Sequence, residues 1–99
     1  MAITSSNGFQ IIKKALSGIY ELSDDSIKTK IIIERDGVLF FEYLKNNGTK
    51  AKHIDNQKLI FNALSDIIEM PSQSTSISIT LEKDRAAMIQ ASGYAQFKD

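Results

Sequence analysis

The sequence predicts an α+β fold: an antiparallel sheet of four to five strands with two helices packed on one face. Three observations lead there. Two segments carry apolar residues at helical spacing, five alternate with the period of a strand, and short turn signals join consecutive strands as antiparallel neighbours. The predicted order is α-β-β-β-α-β-β, with residues 1–99 as a single domain. Hydrophobic residues make up 42% of the chain, enough for a domain of this length to bury a core without a metal or a disulfide.

Asn7 is placed to cap the first helix, and Gln10, three residues on, completes a pair of the capping-box kind. Phe9, Ile12, Leu16, Ile19 and Tyr20 then recur at helical spacing, so the helix is predicted from Gly8 to Glu21. Gly18 would be an unfavourable interior position, costing ~1 kcal/mol relative to Ala. Ser23-Asp24-Asp25-Ser26 reads as a polar loop. In the next strand Ile27, Thr29, Ile31 and Ile33 share one face. Arg35-Asp36-Gly37 signals a tight hairpin, with Gly37 supplying a positive φ.

The following strand, Val38 to Leu44, is apolar on both faces, as a central strand is. Asn46-Asn47-Gly48 turns into a shorter strand, Thr49 to Ile54. Asp55 reads as the N-cap of the second helix. Leu59, Ile60, Ala63, Leu64, Ile67 and Ile68 trace that helix's apolar face, and Pro71 lies just past its end. Thr75 to Glu82 alternates apolar and polar residues. Lys83-Asp84-Arg85 forms the last turn, and Ala86 to Phe97 the final strand, with Gly93 marking a bulge.

Composition removes several classes of function. The chain has no cysteine, so thiol nucleophiles, thiolate metal sites and disulfide scaffolds are excluded. Twelve basic and twelve acidic residues cancel, and the basic ones form no stripe of the kind nucleic-acid binders show. The first ten residues lack the basic and apolar regions of a signal peptide, and no apolar run is long enough to span a membrane. The expectation is a cytoplasmic protein that does not engage membranes.

Residues capable of chemistry are few. His53 is the single histidine; on an extended strand it shares a face with Asp55, a candidate dyad that lacks a nucleophile. The acidic pairs Asp24-Asp25, Glu34/Asp36 and Glu82/Asp84 sit at turns without calcium-loop spacing. The five glycines are dispersed, so no phosphate loop forms. Asn47-Gly48-Thr49 matches a glycosylation acceptor but reads as hairpin chemistry. Phe40, Phe41 and Tyr43 on one strand suggest base stacking, yet alternating Phe is the pattern of a core. Ser74, Ser76, Ser78 and Thr80, beside Gln90, Ser92 and Gln96, form a flat polar face. No enzyme activity, cofactor or metal is expected.

Several local patterns resemble bacterial toxin-immunity proteins, in particular the YezG-like family that neutralises EndoU-type nuclease toxins, as in contact-dependent inhibition. They are the helix Ile11-Ile12-Lys13-Lys14-Ala15-Leu16, the hairpin strand Gly37-Val38-Leu39-Phe40-Phe41-Glu42-Tyr43 leading to Asn47-Gly48, and His53-Ile54 before Phe61-Asn62-Ala63-Leu64. Ser76 to Asp84 and Ala91-Ser92-Gly93-Tyr94 complete the set. The resemblance implies a protein partner, a cognate toxin domain. The element order is also similar to type III secretion chaperones, which would imply a secretion effector instead. A sheet-based single-stranded nucleic-acid binder is a third, lesser alternative. An inhibitor of a cation-lined nuclease site presents carboxylates and aromatic rings, so partner contacts are expected from Glu34, Asp36, Glu42, Tyr43, His53, Asp55, Asp66 and Glu69.

Overall fold

A computed structural model describes residues 8–23, 25–46, 48–70, 76–82, 87–91 and 96–97. In chain order the elements are α1 (Gly8–Ala15), β1 (Ser26–Glu34), β2 (Gly37–Leu44), β3 (Gly48–Ile54) and α2 (Gln57–Ser65). They continue with β4 (Ile68–Glu69), β5 (Ile77–Glu82), β6 (Ala87–Ala91) and β7 (Gln96–Phe97). The α+β class and the antiparallel sheet are as predicted. The main sheet has the order β3-β2-β1-β5-β6 and is antiparallel throughout. After β3 the chain passes through α2 to the far side of β1, so the sheet grows from both edges of the first hairpin.

Both helices cover one face of the sheet. Ile31 and Ile33 of β1, Val38 and Phe40 of β2, and Ile77, Ile79 and Leu81 of β5 point inward and are fully buried. Phe9, Ile12 and Leu16 from α1 and its last turn, and Ile60 and Leu64 of α2, pack against them. Each such side chain contributes about 1.5–3 kcal/mol by leaving water. No helix among the described residues is long and apolar enough to cross a membrane.

The first helix is shorter than predicted. It stops at Ala15, and the backbone N–H groups of Ile19 and Tyr20 both donate to the carbonyl of Leu16. Gly18 sits in this turn at φ +86°, so it terminates the helix rather than weakening its interior. Lys13 and Lys14 lie in the last turn, where cations suit the helix dipole. The expected cap Asn7 lies outside the described residues.

Two other local expectations are corrected. A bulge between Ser26 and Lys28 shifts the register of β1 on β2, so Ser26 is buried and Ile27 is 52% exposed. The second helix is capped by Asn56, whose Oδ1 accepts from the Leu59 N–H at 3.1 Å; Asp55 precedes the cap and turns toward His53. The C-terminal third also differs. The predicted strand Ala86 to Phe97 is two short strands, and β7 leaves the main sheet to pair with β4. Ile68, expected on α2, belongs to β4. Gly93 and the turn Lys83-Asp84-Arg85 are outside the described residues.

The first hairpin turn is as predicted, and its glycine is doubly constrained. Gly37 has φ +151°, and a Cβ there would lie 2.6 Å from the Ile54 carbonyl oxygen and 2.7 Å from His53 Nε2. Gly48 also has a positive φ, +75°, but faces open space. Gly37→Ala should therefore lower stability by roughly 2–4 kcal/mol, from backbone strain plus overpacking, and Gly48→Ala by about 1 kcal/mol. Urea unfolding of the two variants checks this, and equal losses would contradict it.

Candidate functional site

Strand parity divides the sheet into a covered inner face and an open outer face. On the outer face the register aligns three rows across β3, β2, β1 and β5: His53–Leu39–Ile32–Ser78, Ala51–Phe41–Lys30–Thr80 and Thr49–Tyr43–Lys28–Glu82. Ile32, Leu39, Phe41 and Tyr43 therefore form an apolar stripe over two adjacent strands, on the side away from both helices. All four are half-buried. The Lys28 ammonium lies 5.5 Å from the Tyr43 ring centroid, within cation–π reach.

The end of this face at the β1–β2 hairpin is acidic. Glu34, Asp36 and His53 line one small cavity of about 110 Å³ with Ile32, Gly37 and Leu39. The His53 Nδ1 lies 2.9 Å from the Asp55 Oδ1, within hydrogen-bond distance. The ring lies over Gly37, whose missing Cβ leaves room for Nε2. Glu34, Asp36 and Asp55 are exposed, with Arg35 in the turn between the first two. Four of the eight expected contact residues thus converge at one corner. The His53–Asp55 pair is open to solvent, with side chains 53% and 94% exposed. Among the described residues no group of three or more His, Asp or Glu could hold a metal ion.

Glu42 is not part of this surface. It shares strand parity with Val38 and Phe40, so it points inward and is fully buried. Its Oε2 accepts from the Tyr20 hydroxyl at 2.5 Å and its Oε1 from the Ser23 backbone N–H at 2.7 Å. Lys50 of β3 approaches to 4.0 Å from the rim, half-exposed. Beside this carboxylate, Ser26 and Thr29 are buried and bonded to each other at 2.9 Å. The Tyr20 ring stacks on Phe40, centroids 4.2 Å apart. Burial, then the hydrogen bond and the negative charge of Glu42, hold the Tyr20 phenol well above its ordinary pKa.

The remaining expected residues are scattered. Tyr43 is on the outer face, at the end opposite the acidic corner. Asp66 follows α2 and lines a groove on the helical side. Glu69 is exposed on β4. The polar face expected around Ser78 and Thr80 is present as half-buried positions on β5, while Ser74 and Ser92 lie outside the described residues. Sequence reasoning missed Ile32, Leu39 and Phe41 as a surface. The signal was available: Ile31-Ile32-Ile33 and Val38 to Tyr43 are apolar at both parities, so apolar groups must appear on both faces of the sheet.

Comparison with known protein families, with curated proteins and with solved structures finds no match.

The raised Tyr20 pKa fixes a pH dependence. Below about pH 10 both folded and unfolded chains hold the phenolic proton. Above it the unfolded chain releases the proton first, so stability falls as pH rises toward the folded-state value. Urea unfolding should show Tyr20→Phe losing about 1 kcal/mol less than wild type between pH 9 and pH 11. An identical alkaline loss in both proteins would show that Tyr20 is not held in this way.

Proposed function

We propose that this chain is a non-catalytic binding protein that docks a protein partner on the open face of its sheet. The partner is a cation-lined surface, such as the active-site region of a nuclease-type bacterial toxin, which the chain neutralises as an immunity protein. One observation carries the reading: the Ile32, Leu39, Phe41 and Tyr43 stripe is closed at one end by the carboxylates of Glu34, Asp36 and Asp55. Interfaces combine an apolar, aromatic centre with a polar rim, and charge at the rim sets orientation and association rate. A stripe of this kind on one side of a two-layer domain is the sort of surface that a partner covers. The toxin class comes from the resemblance of the sequence patterns, and the acidic corner supports it through charge complementarity alone.

A second reading has one observation in its favour. Phe41 and Tyr43 stand beside Lys30 and Lys28 on the same face, an arrangement on which single-stranded nucleic acid can stack. The zero net charge leaves little counterion release to drive such binding, so the protein partner is preferred.

Co-expression with candidate toxin domains, chosen from the products of neighbouring genes, tests the proposal. Glu34→Lys, Asp36→Lys and Asp55→Lys should each weaken the complex by roughly tenfold, and Phe41→Ser by more, because central apolar positions dominate interfaces. Lys58→Glu, on the exposed side of α2, should change nothing. Unchanged binding by all four face variants would remove this surface. Tight, salt-sensitive binding of a single-stranded oligonucleotide, lost in Phe41→Ser, would favour the second reading.

A further inference from the structure

We infer that this chain pairs with a second copy of itself through the groove between α1 and α2. The inference is independent of the outer sheet face, which lies on the other side of the molecule. The apolar arc of each helix is wider than its contact with the sheet. On α2, Ile60 and Leu64 are fully buried in the core and Leu59 is 45% exposed, while Ala63, and Ile67 just past the helix, touch the core and remain half-buried. On α1, Phe9 and Ile12, with Leu16 in the turn after it, enter the core, while Ile11 is half-buried and Ala15 touches the core but stays half-buried. Ile11, Ala15, Ala63 and Ile67 line one groove, and its remaining walls are Lys14 and Asp66. Each wall therefore pairs an alanine with larger apolar side chains, a relief into which another helix can seat closely.

The charges decide the occupant. Lys14 stands on the α1 wall and Asp66 on the α2 wall, and both are exposed. Among the described residues neither has an ion-pair partner within the chain. A two-fold axis running along the groove exchanges the two walls of facing copies. It sets each Lys14 opposite the second copy's Asp66, and each apolar wall opposite the other. One cation and one carboxylate on opposite walls make the surface self-complementary, the condition that an isologous interface imposes. A strongly charged ligand would meet one like charge at the same rim.

Sedimentation equilibrium of the full chain, from micromolar to submillimolar concentration, tests this. The wild type should form a dimer. Lys14→Glu and Asp66→Lys should each weaken self-association by roughly tenfold or more, since each creates two like-charge contacts. The combined Lys14→Glu, Asp66→Lys swap should restore it. Both side chains are exposed, so the variants should keep the wild-type circular dichroism. If one does not, Lys14→Gln or Asp66→Asn replaces it, with a smaller weakening expected. A wild type monomeric at every concentration, variants that dimerise unchanged, or a swap that fails to restore association would each overturn the inference.

Discussion

Glu42 is the buried carboxylate on which the two-layer arrangement turns. A charge taken out of water costs several kcal/mol unless its oxygens are bonded, and removing one partner leaves the remainder uncompensated. Glu42 meets this demand with one bond to each oxygen, from the Tyr20 hydroxyl and the Ser23 backbone N–H, while the Lys50 ammonium of β3 approaches from the rim. Tyr20 and Ser23 lie in the connection from α1 to β1, so their bonds hold that connection over the inner face of β2. The Tyr20 ring, stacked on Phe40, completes the seal. With Ser26 and Thr29 beside it, the polar end of the inner face is satisfied internally, and among the described residues no buried side-chain oxygen or nitrogen lacks a partner.

A small two-layer domain buries one face of each layer and leaves the other to solvent. Here both outer surfaces retain apolar groups. The sheet keeps Ile32, Leu39, Phe41 and Tyr43, and the helices keep Ile11, Ala15, Leu59, Ala63 and Ile67. The two surfaces differ in their charges. The sheet face runs from the carboxylates of Glu34, Asp36 and Asp55 at one end to Lys28 and Lys30 further along, a polarity that suits a different molecule. The helical groove carries one charge of each sign on opposite walls, which suits a copy of itself. Glu42 belongs to neither surface: it is buried and bonded to the α1–β1 connection.

Much of the fold was legible because it rests on local rules. The turn at Gly37, the alternation of β5 and the both-sided apolarity of β2 follow from steric limits on φ and from strand parity. The parts that were not legible depend on residues distant in sequence. Glu42 has the same parity as Val38 and Phe40, so its inward orientation was implied. That a charge could remain there depended on Tyr20 and Ser23, which no local pattern connects to it. Asn56 and Asp55 are both good caps; Asn56 takes the role, while Asp55 pairs with His53. The Ser26 bulge exchanged an isoleucine for a serine on the inner face, which hydrophobic alternation alone cannot anticipate. Of the expected contact residues, Glu34, Asp36 and Asp55 are exposed, as carboxylates at turns are. The apolar stripe was missed because Phe and Ile on a central strand read as core.

The most direct measurement is a double-mutant cycle on the Tyr20–Glu42 pair, read by urea unfolding at neutral pH. Tyr20→Phe removes the donor without changing the stacked ring. Glu42→Met removes the carboxylate at similar length. If the clamp holds the layers together, each single variant is destabilised and the double variant loses less than the sum, with a coupling of about 1–3 kcal/mol. Losses that add to within about 0.3 kcal/mol would mean that Glu42 and Tyr20 do not act together, and the account of the fold would fail at its centre.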